Sequence, residues 1–124
     1  MRLPDEVVDV QPGVSARTRR MTRPDDWFFQ GHFPGQPVAP AIVLVELLAQ
    51  TGGLAVGGDG GPLHLRVAAF GGFRFPAAAG VGVTLEATAR LVGRMGGLYK
   101  IEGEVTAGGR VVGAGSVTLA EARR

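Results

Sequence analysis

The sequence predicts an α+β fold in which an antiparallel β-sheet wraps around one long central apolar helix. Three observations predict it. From Pro40 the chain reads AIVLVELLAQ, helix-compatible and apolar nearly all round, and a helix without a polar face must be enclosed by other structure. After Pro62 come four stretches of β character separated by Gly or Pro clusters, preceded by one early strand. No repeat with a period of about 20 to 50 residues and no linker divides the chain, so its 124 residues read as a single domain, 1–124, with one core. A sheet with only one helix to bury is most economically curled around it.

Taken in order, the N-terminal MRLPDEVVDV has no apolar run after its one Arg. It does not read as a secretory signal, which points to the cytoplasm. Residues 14–22 alternate loosely, with Val14, Ala16, Thr18, Arg20 and Thr22 on one face, as in a strand exposed on at least one side. Residues 34–58 carry a single charge, yet Glu46 and Gln50 at their middle and Pro37 and Pro40 in their first third argue against a membrane span. The Gly-rich stretch 52–61 is expected to end the helix. Within it Gly57-Gly58-Asp59-Gly60-Gly61 reads as a loop rather than a phosphate cradle, because no strand precedes it and no Lys-Ser/Thr follows. The later strands are expected at 63–75, 81–92, 98–106 and 111–119, with Ala107-Gly108-Gly109-Arg110 as a tight hairpin and His64 on a strand surface.

Composition narrows the function classes. Thirteen basic and 11 acidic residues leave a net charge of only +2, too little to argue for nucleic acid, and the basic residues lack the interleaved aromatics that stack bases. Cysteine is absent, which removes disulfides, thiolate metal sites and Cys nucleophiles. With two histidines a His-based metal site is not expected either. Twelve of the 13 basic residues are Arg and Gly reaches 21, a bias that fits a GC-rich genome better than a mechanism.

The chemistry-bearing residues lie in 28–50, FFQGHFPGQPVAPAIVLVELLAQ. His32 is the one residue of this apolar stretch able to accept a proton near neutral pH, and Gly31, Phe33, Pro34 and Gly35 around it form a stiff, turn-rich loop. A lone His in such a setting is often structural. Glu46 is expensive as an unpaired carboxylate in an apolar helix, so it should be neutral, functional or salt-bridged to an Arg. Gln50, one turn later, can orient that carboxyl or serve simply as a core amide. The helix start Val38-Ala39-Pro40-Ala41 has no Ser, Thr, Asp or Asn to cap it. Since Pro40 has no N–H, Ala41 is the first donor at the positive end of the helix.

The composite FFQGHFPG, then PV and a second Pro, then a helix with an acidic residue fourteen positions after the His and AQ beyond it, resembles the β-hydroxyacyl-acyl-carrier-protein dehydratases of fatty-acid synthesis, of the Glu-containing type and the hot-dog fold. Phe73-Arg74-Phe75-Pro76 extends the likeness loosely. The resemblance implies a (3R)-3-hydroxyacyl-carrier-protein dehydratase, a hydro-lyase giving a trans-2-enoyl thioester, with no metal or redox cofactor. It implies His32 as base, Glu46 as acid, and the backbone N–H of Ala41, where most members have Gly, as donor to the thioester oxygen. The carbonyl of Val38 would hold the His, and Phe33 and Gly35 would sit with Gln50 in the substrate-binding set. The implied partners are an acyl carrier protein and a second dehydratase subunit, identical or homologous, with the His of one protomer facing the acid of the other; higher oligomers are also compatible. Neither nucleic acid nor a membrane is implied.

The chain departs from that pattern where Leu3-Pro4 runs straight into Asp5-Glu6-Val7-Val8 in place of an LPHRYPFL-like segment, and where Val81 replaces an acidic residue. Neither change touches His32 or Glu46, but both open a polyene or polyketide pathway as an alternative to primary fatty-acid synthesis. Arg17, Arg19, Arg20 and Arg23 cluster before the motif and would steer an acidic carrier protein, or form a solvated strand face. Two rivals remain: a hot-dog thioesterase, and a subunit that supports a homologous partner.

Overall fold

The computed structural model describes residues 3–29, 38–57 and 65–121. Among the described residues six strands form one antiparallel sheet: β1 (Glu6–Gln11), β2 (Ser15–Met21), β3 (Leu65–Arg74), β4 (Thr84–Met95), β5 (Leu98–Ala107) and β6 (Arg110–Glu121). Their spatial order is β1-β2-β4-β5-β6-β3. A short 3-10 turn (Trp27–Phe29) follows β2, and α1 (Ala41–Gly57) lies between it and β3. The sheet curls over α1, which packs against β1, β2, β4, β5 and β6. This is the expected hot-dog arrangement.

Alternation along the central strands builds the core. Ala16 and Thr18 of β2, Leu85, Ala87 and Ala89 of β4, Ile101 and Val105 of β5, and Val117 and Leu119 of β6 are buried beneath Val43, Leu44, Leu47, Leu48 and Ala55 of the helix. Small residues on the sheet let the Leu side chains of α1 sink in. A Cβ on Gly103 would lie 2.0 Å from the Thr88 carbonyl oxygen and 2.9 Å from Leu48 Cδ1, so only glycine fits there. A buried polar link, a 2.8 Å bond between the Thr18 and Thr51 hydroxyls, is satisfied because Thr51 also donates to the Leu47 carbonyl at 2.8 Å.

The helix ends at Gly57, inside the Gly-rich stretch expected to end it, and the first of those glycines answers to packing: a Cβ on Gly52 would sit 2.8 Å from Ile101 Cγ1. One expectation is corrected. The N-terminal segment, read without structure, forms β1, an edge strand that among the described residues pairs with β2 alone. Its residues are mostly exposed or half-buried, so it lacks the apolar alternation that marks interior strands. The 107–110 hairpin forms as expected, with Gly108 and Gly109 at φ +58° and +81°, the left-handed pair a two-residue turn requires. Among the described residues no helix is long and apolar enough to cross a membrane.

Candidate active site

The sheet covers most of α1 and leaves one flank bare. Ile42 and Glu46 are exposed there, and Gln50 and Gly53 are half-buried; this i, i+4, i+8, i+11 spacing is one stripe along a helix. Apolar residues surround Glu46 in sequence, and its carboxylate points from this uncovered flank. It joins no ion pair among the described residues. Its Oε1 accepts a hydrogen bond from Gln50 Nε2 at 3.2 Å, as the one-turn spacing predicts.

The Gln50 amide is oriented by a group at the far end of the sequence. The Leu3 N–H donates to Gln50 Oε1 at 2.8 Å. A backbone N–H can only donate, so the amide oxygen must face Leu3 and the NH₂ must face Glu46. Leu3 is 2% exposed. With Trp27, Ile42, Val43, Glu46 and Gln50 it lines a cavity of about 280 Å³. The carboxyl thus opens on a largely apolar hollow, although Trp27 and Ile42 remain 54% and 62% exposed.

At the start of the helix, the Pro40 carbonyl accepts the Val43 and Leu44 N–H groups at 3.0 and 3.3 Å, making Ala41 the first helical residue. Among the described residues its N–H has no backbone acceptor, as befits the first turn of a helix. Ala41 is exposed and borders a second cavity of about 360 Å³ with Ala39, Leu44, Phe75 and Val112. Val38 is half-buried just upstream. The Ala39 N–H to Ala79 carbonyl bond, 2.7 Å, ties this stretch to the loop between β3 and β4. That loop is braced in turn by the buried Thr22 hydroxyl, which donates to the Gly80 carbonyl at 2.8 Å.

The four arginines separate. Arg17 and Arg19 project from the outer face of β2, roughly half exposed, towards Glu86 at 3.9 and 3.0 Å, and Arg19 also lies 3.7 Å from Glu6. Arg23 sits at the strand end against Asp5, 3.1 Å away. Arg20 does not share the exposed face, which corrects its expected place on a basic rim. Its side chain is 13% exposed, turned inward and paired with Asp26. Along β2 it shares a face with Ala16 and Thr18, both buried. His32, Phe33 and Gly35 lie outside the described residues, as does His64. Sequence reasoning missed Leu3, Asp26 and Trp27 as neighbours of the site. The available signal is a lone Leu in a polar N-terminus and an Asp spaced to receive a local N–H; the Arg23 N–H does donate to Asp26 Oδ2 at 2.7 Å.

Comparison with known proteins bears on the family and the fold. The sequence model of the FabA-like domain family matches residues 1–115. The 3-hydroxyacyl-acyl-carrier-protein dehydratase FabZ of Polynucleobacter necessarius is 32% identical over 120 residues, covering 95% of this chain and 80% of that protein. FabZ of Chloroflexus aggregans is 43% identical over 53 residues, which are 43% of this chain and 37% of that protein. In shape, the chain is similar to the dehydratase heterocomplex ApeI:P from Xenorhabdus doucetiae, with a TM-score of 0.81 and 15% identity, covering 99% of this chain and 84% of that one.

Proposed function

This chain belongs to the FabA-like domain family, and from that premise we propose that it is a (3R)-3-hydroxyacyl-carrier-protein dehydratase, a hydro-lyase that leaves a trans-2-enoyl thioester. The elimination needs a base for the α-proton, an acid for the departing hydroxyl and a donor for the thioester oxygen as enolate character builds. His32 takes the proton from C2. The electron pair of that C–H bond becomes the C2–C3 double bond, the C3–O bond breaks, and Glu46 protonates the leaving oxygen to give water. The Ala41 N–H, at the positive end of α1, stabilises the thioester oxygen, while the Val38 carbonyl orients His32 and Phe33 and Gly35 shape the loop around it.

The observation that carries this reading is the Glu46 carboxyl, held by Gln50 over a largely apolar hollow. With one oxygen accepting from Gln50, the other is available to carry the transferred proton. Residues 1–124 act as one domain in the cytoplasm. The substrate arrives on an acyl carrier protein, and the site is completed by a second subunit, this chain or a homologue, alone or within a higher oligomer. Fatty-acid and polyene or polyketide synthesis both supply such substrates.

A carrier-bound (3R)-3-hydroxyacyl substrate should be dehydrated by the wild-type protein. His32→Ala and Glu46→Gln should each lose about 100-fold or more in turnover while keeping wild-type circular dichroism. Near-wild-type turnover in either variant removes the role given to that residue. Release of free acid in place of enoyl product would make the chain a thioesterase.

A further inference from the structure

Arg20 is a cation built into the inner side of the fold, and its contacts run in two directions. One terminal nitrogen pairs with the carboxylate of Asp26, itself 9% exposed, and the other donates to the Leu3 carbonyl at 2.8 Å. The guanidinium also lies over the Phe28 ring, 5.6 Å from its centroid. Its buried Nε has no hydrogen-bond partner among the described residues, so the two terminal nitrogens do the holding.

The Leu3 contact leads directly to the acid. The peptide whose carbonyl accepts from Arg20 belongs to the residue whose N–H donates to Gln50, and Gln50 donates to Glu46. The other arm leads towards the base. Asp26 accepts the Arg23 N–H, and its carbonyl accepts the Phe29 N–H at 3.1 Å, closing the turn that ends three residues before His32 in sequence. We infer that Arg20 is a positioning residue for the dehydration, setting the Glu46 carboxyl through the Leu3 peptide and the Gln50 amide, with Asp26 as its anchor. This rests on Glu46 being the acid of the proposed function.

The chemistry explains why the relay matters. If Leu3 shifts, the Gln50 amide can turn over and present its oxygen to Glu46. A protonated Glu46 would then donate to Gln50, and the proton meant for the leaving hydroxyl would be held away from the substrate. Lysine at position 20 cannot replace the fork, since a single ammonium cannot reproduce the two-nitrogen geometry that meets Asp26 and Leu3 together.

The test is a double-mutant cycle on a small (3R)-3-hydroxyacyl thioester. Arg20→Met should lower kcat roughly 10- to 100-fold, as small misplacements of a catalytic group do, with KM changed by less than about threefold. The loss should be the same on carrier-bound substrate and insensitive to salt, because no charge is removed from the surface. In a Gln50→Met background the same substitution should add almost nothing, since the relay is already cut. Arg20→Lys should recover part of kcat, and if Arg20→Met does not fold, Arg20→Lys takes its place in the cycle. Losses that multiply across the cycle, an unchanged kcat, or a loss confined to carrier-bound substrate would each overturn the inference. Glu46→Gln is measured alongside: if it retains turnover, the acid assignment falls and this inference with it, whereas an inactive Glu46→Gln with an additive cycle removes the role of Arg20 alone.

Discussion

Gln50 Nε2 lies 3.2 Å from Glu46 Oε1, one turn along the same bare flank of the helix. The pair therefore faces away from the sheet that buries the rest of α1. An acid displayed there can work on a desolvated substrate only if something else closes over it, and the exposed Trp27 and Ile42 beside it are apolar surface awaiting such cover.

If the cover is a second subunit that brings its own His32, inactive variants should complement each other. Mixing His32→Ala and Glu46→Gln proteins in equal amounts makes about half the dimers mixed, each with one intact site of two under two-fold symmetry. About a quarter of wild-type activity should return after subunit exchange. If both groups come from one chain, every site lacks one of them and nothing returns despite demonstrated exchange.

The outer face of β2 should affect the carrier rather than the chemistry. Arg17→Glu with Arg19→Glu should raise KM for carrier-bound substrate several-fold at low salt, roughly, and leave a small thioester unaffected. The difference should fade as salt shortens the screening length. Glu86 and Glu6 already offset part of this charge, so the effect is moderate. Equal losses on both substrates would return these arginines to a structural role.

How far the sequence could be read depended on whether a residue answers to a local pattern or to a distant contact. The apolar run from Ala41 and the alternation of β2, β4, β5 and β6 are local, so the helix and the sheet were legible. The Gly108-Gly109 turn was legible for the same reason. The inward turn of Arg20 depends on Asp26 and Leu3 and was not legible. The Gly-rich stretch 52–61 does contain the end of the helix, at Gly57, but the need for glycine at 52 was not legible, because Ile101, which imposes it, is 49 residues away. Glu46 stood out locally as a lone carboxylate in an apolar helix, and its exposure follows from the flank that the sheet leaves bare. The partnership of Leu3 with Gln50 spans 47 residues and has no periodicity to announce it.

The N-terminal clip should titrate in acid. Partial burial pushes the Asp5 carboxyl up, but the Met21 N–H at 2.7 Å and the Arg23 guanidinium outweigh it and hold the group below its ordinary value of 3.8. A carboxyl lowered in the folded state contributes stability above its unfolded pKa and loses it as pH falls through the folded one. Wild type should therefore exceed Asp5→Asn in Tm near neutral pH, and the gap should close as pH drops below 3.8. A gap that stays constant through that range would mean that the charge of Asp5 contributes nothing.

Two adjacent helical glycines should respond to alanine with opposite signs. In a helix interior Ala is favoured over Gly by about 1 kcal/mol, and both positions would gain that. At Gly53 the new Cβ meets, among the described residues, only Leu65 Cδ1 at 3.8 Å, an ordinary contact, so Gly53→Ala should raise Tm by about a few degrees. At Gly52 it would lie 2.8 Å from Ile101 Cγ1, 3.0 Å from Cγ2 and 3.3 Å from Cβ. These atoms are at the root of a fully buried, branched side chain and cannot swing aside. Overpacking of this kind costs about 1–3 kcal/mol, which exceeds the helical gain, so Gly52→Ala should lower Tm. Thermal unfolding of the two variants beside wild type decides it. If Gly52→Ala proved as stabilising as Gly53→Ala, the close approach of α1 to β5 at Ile101 would not be what requires glycine there.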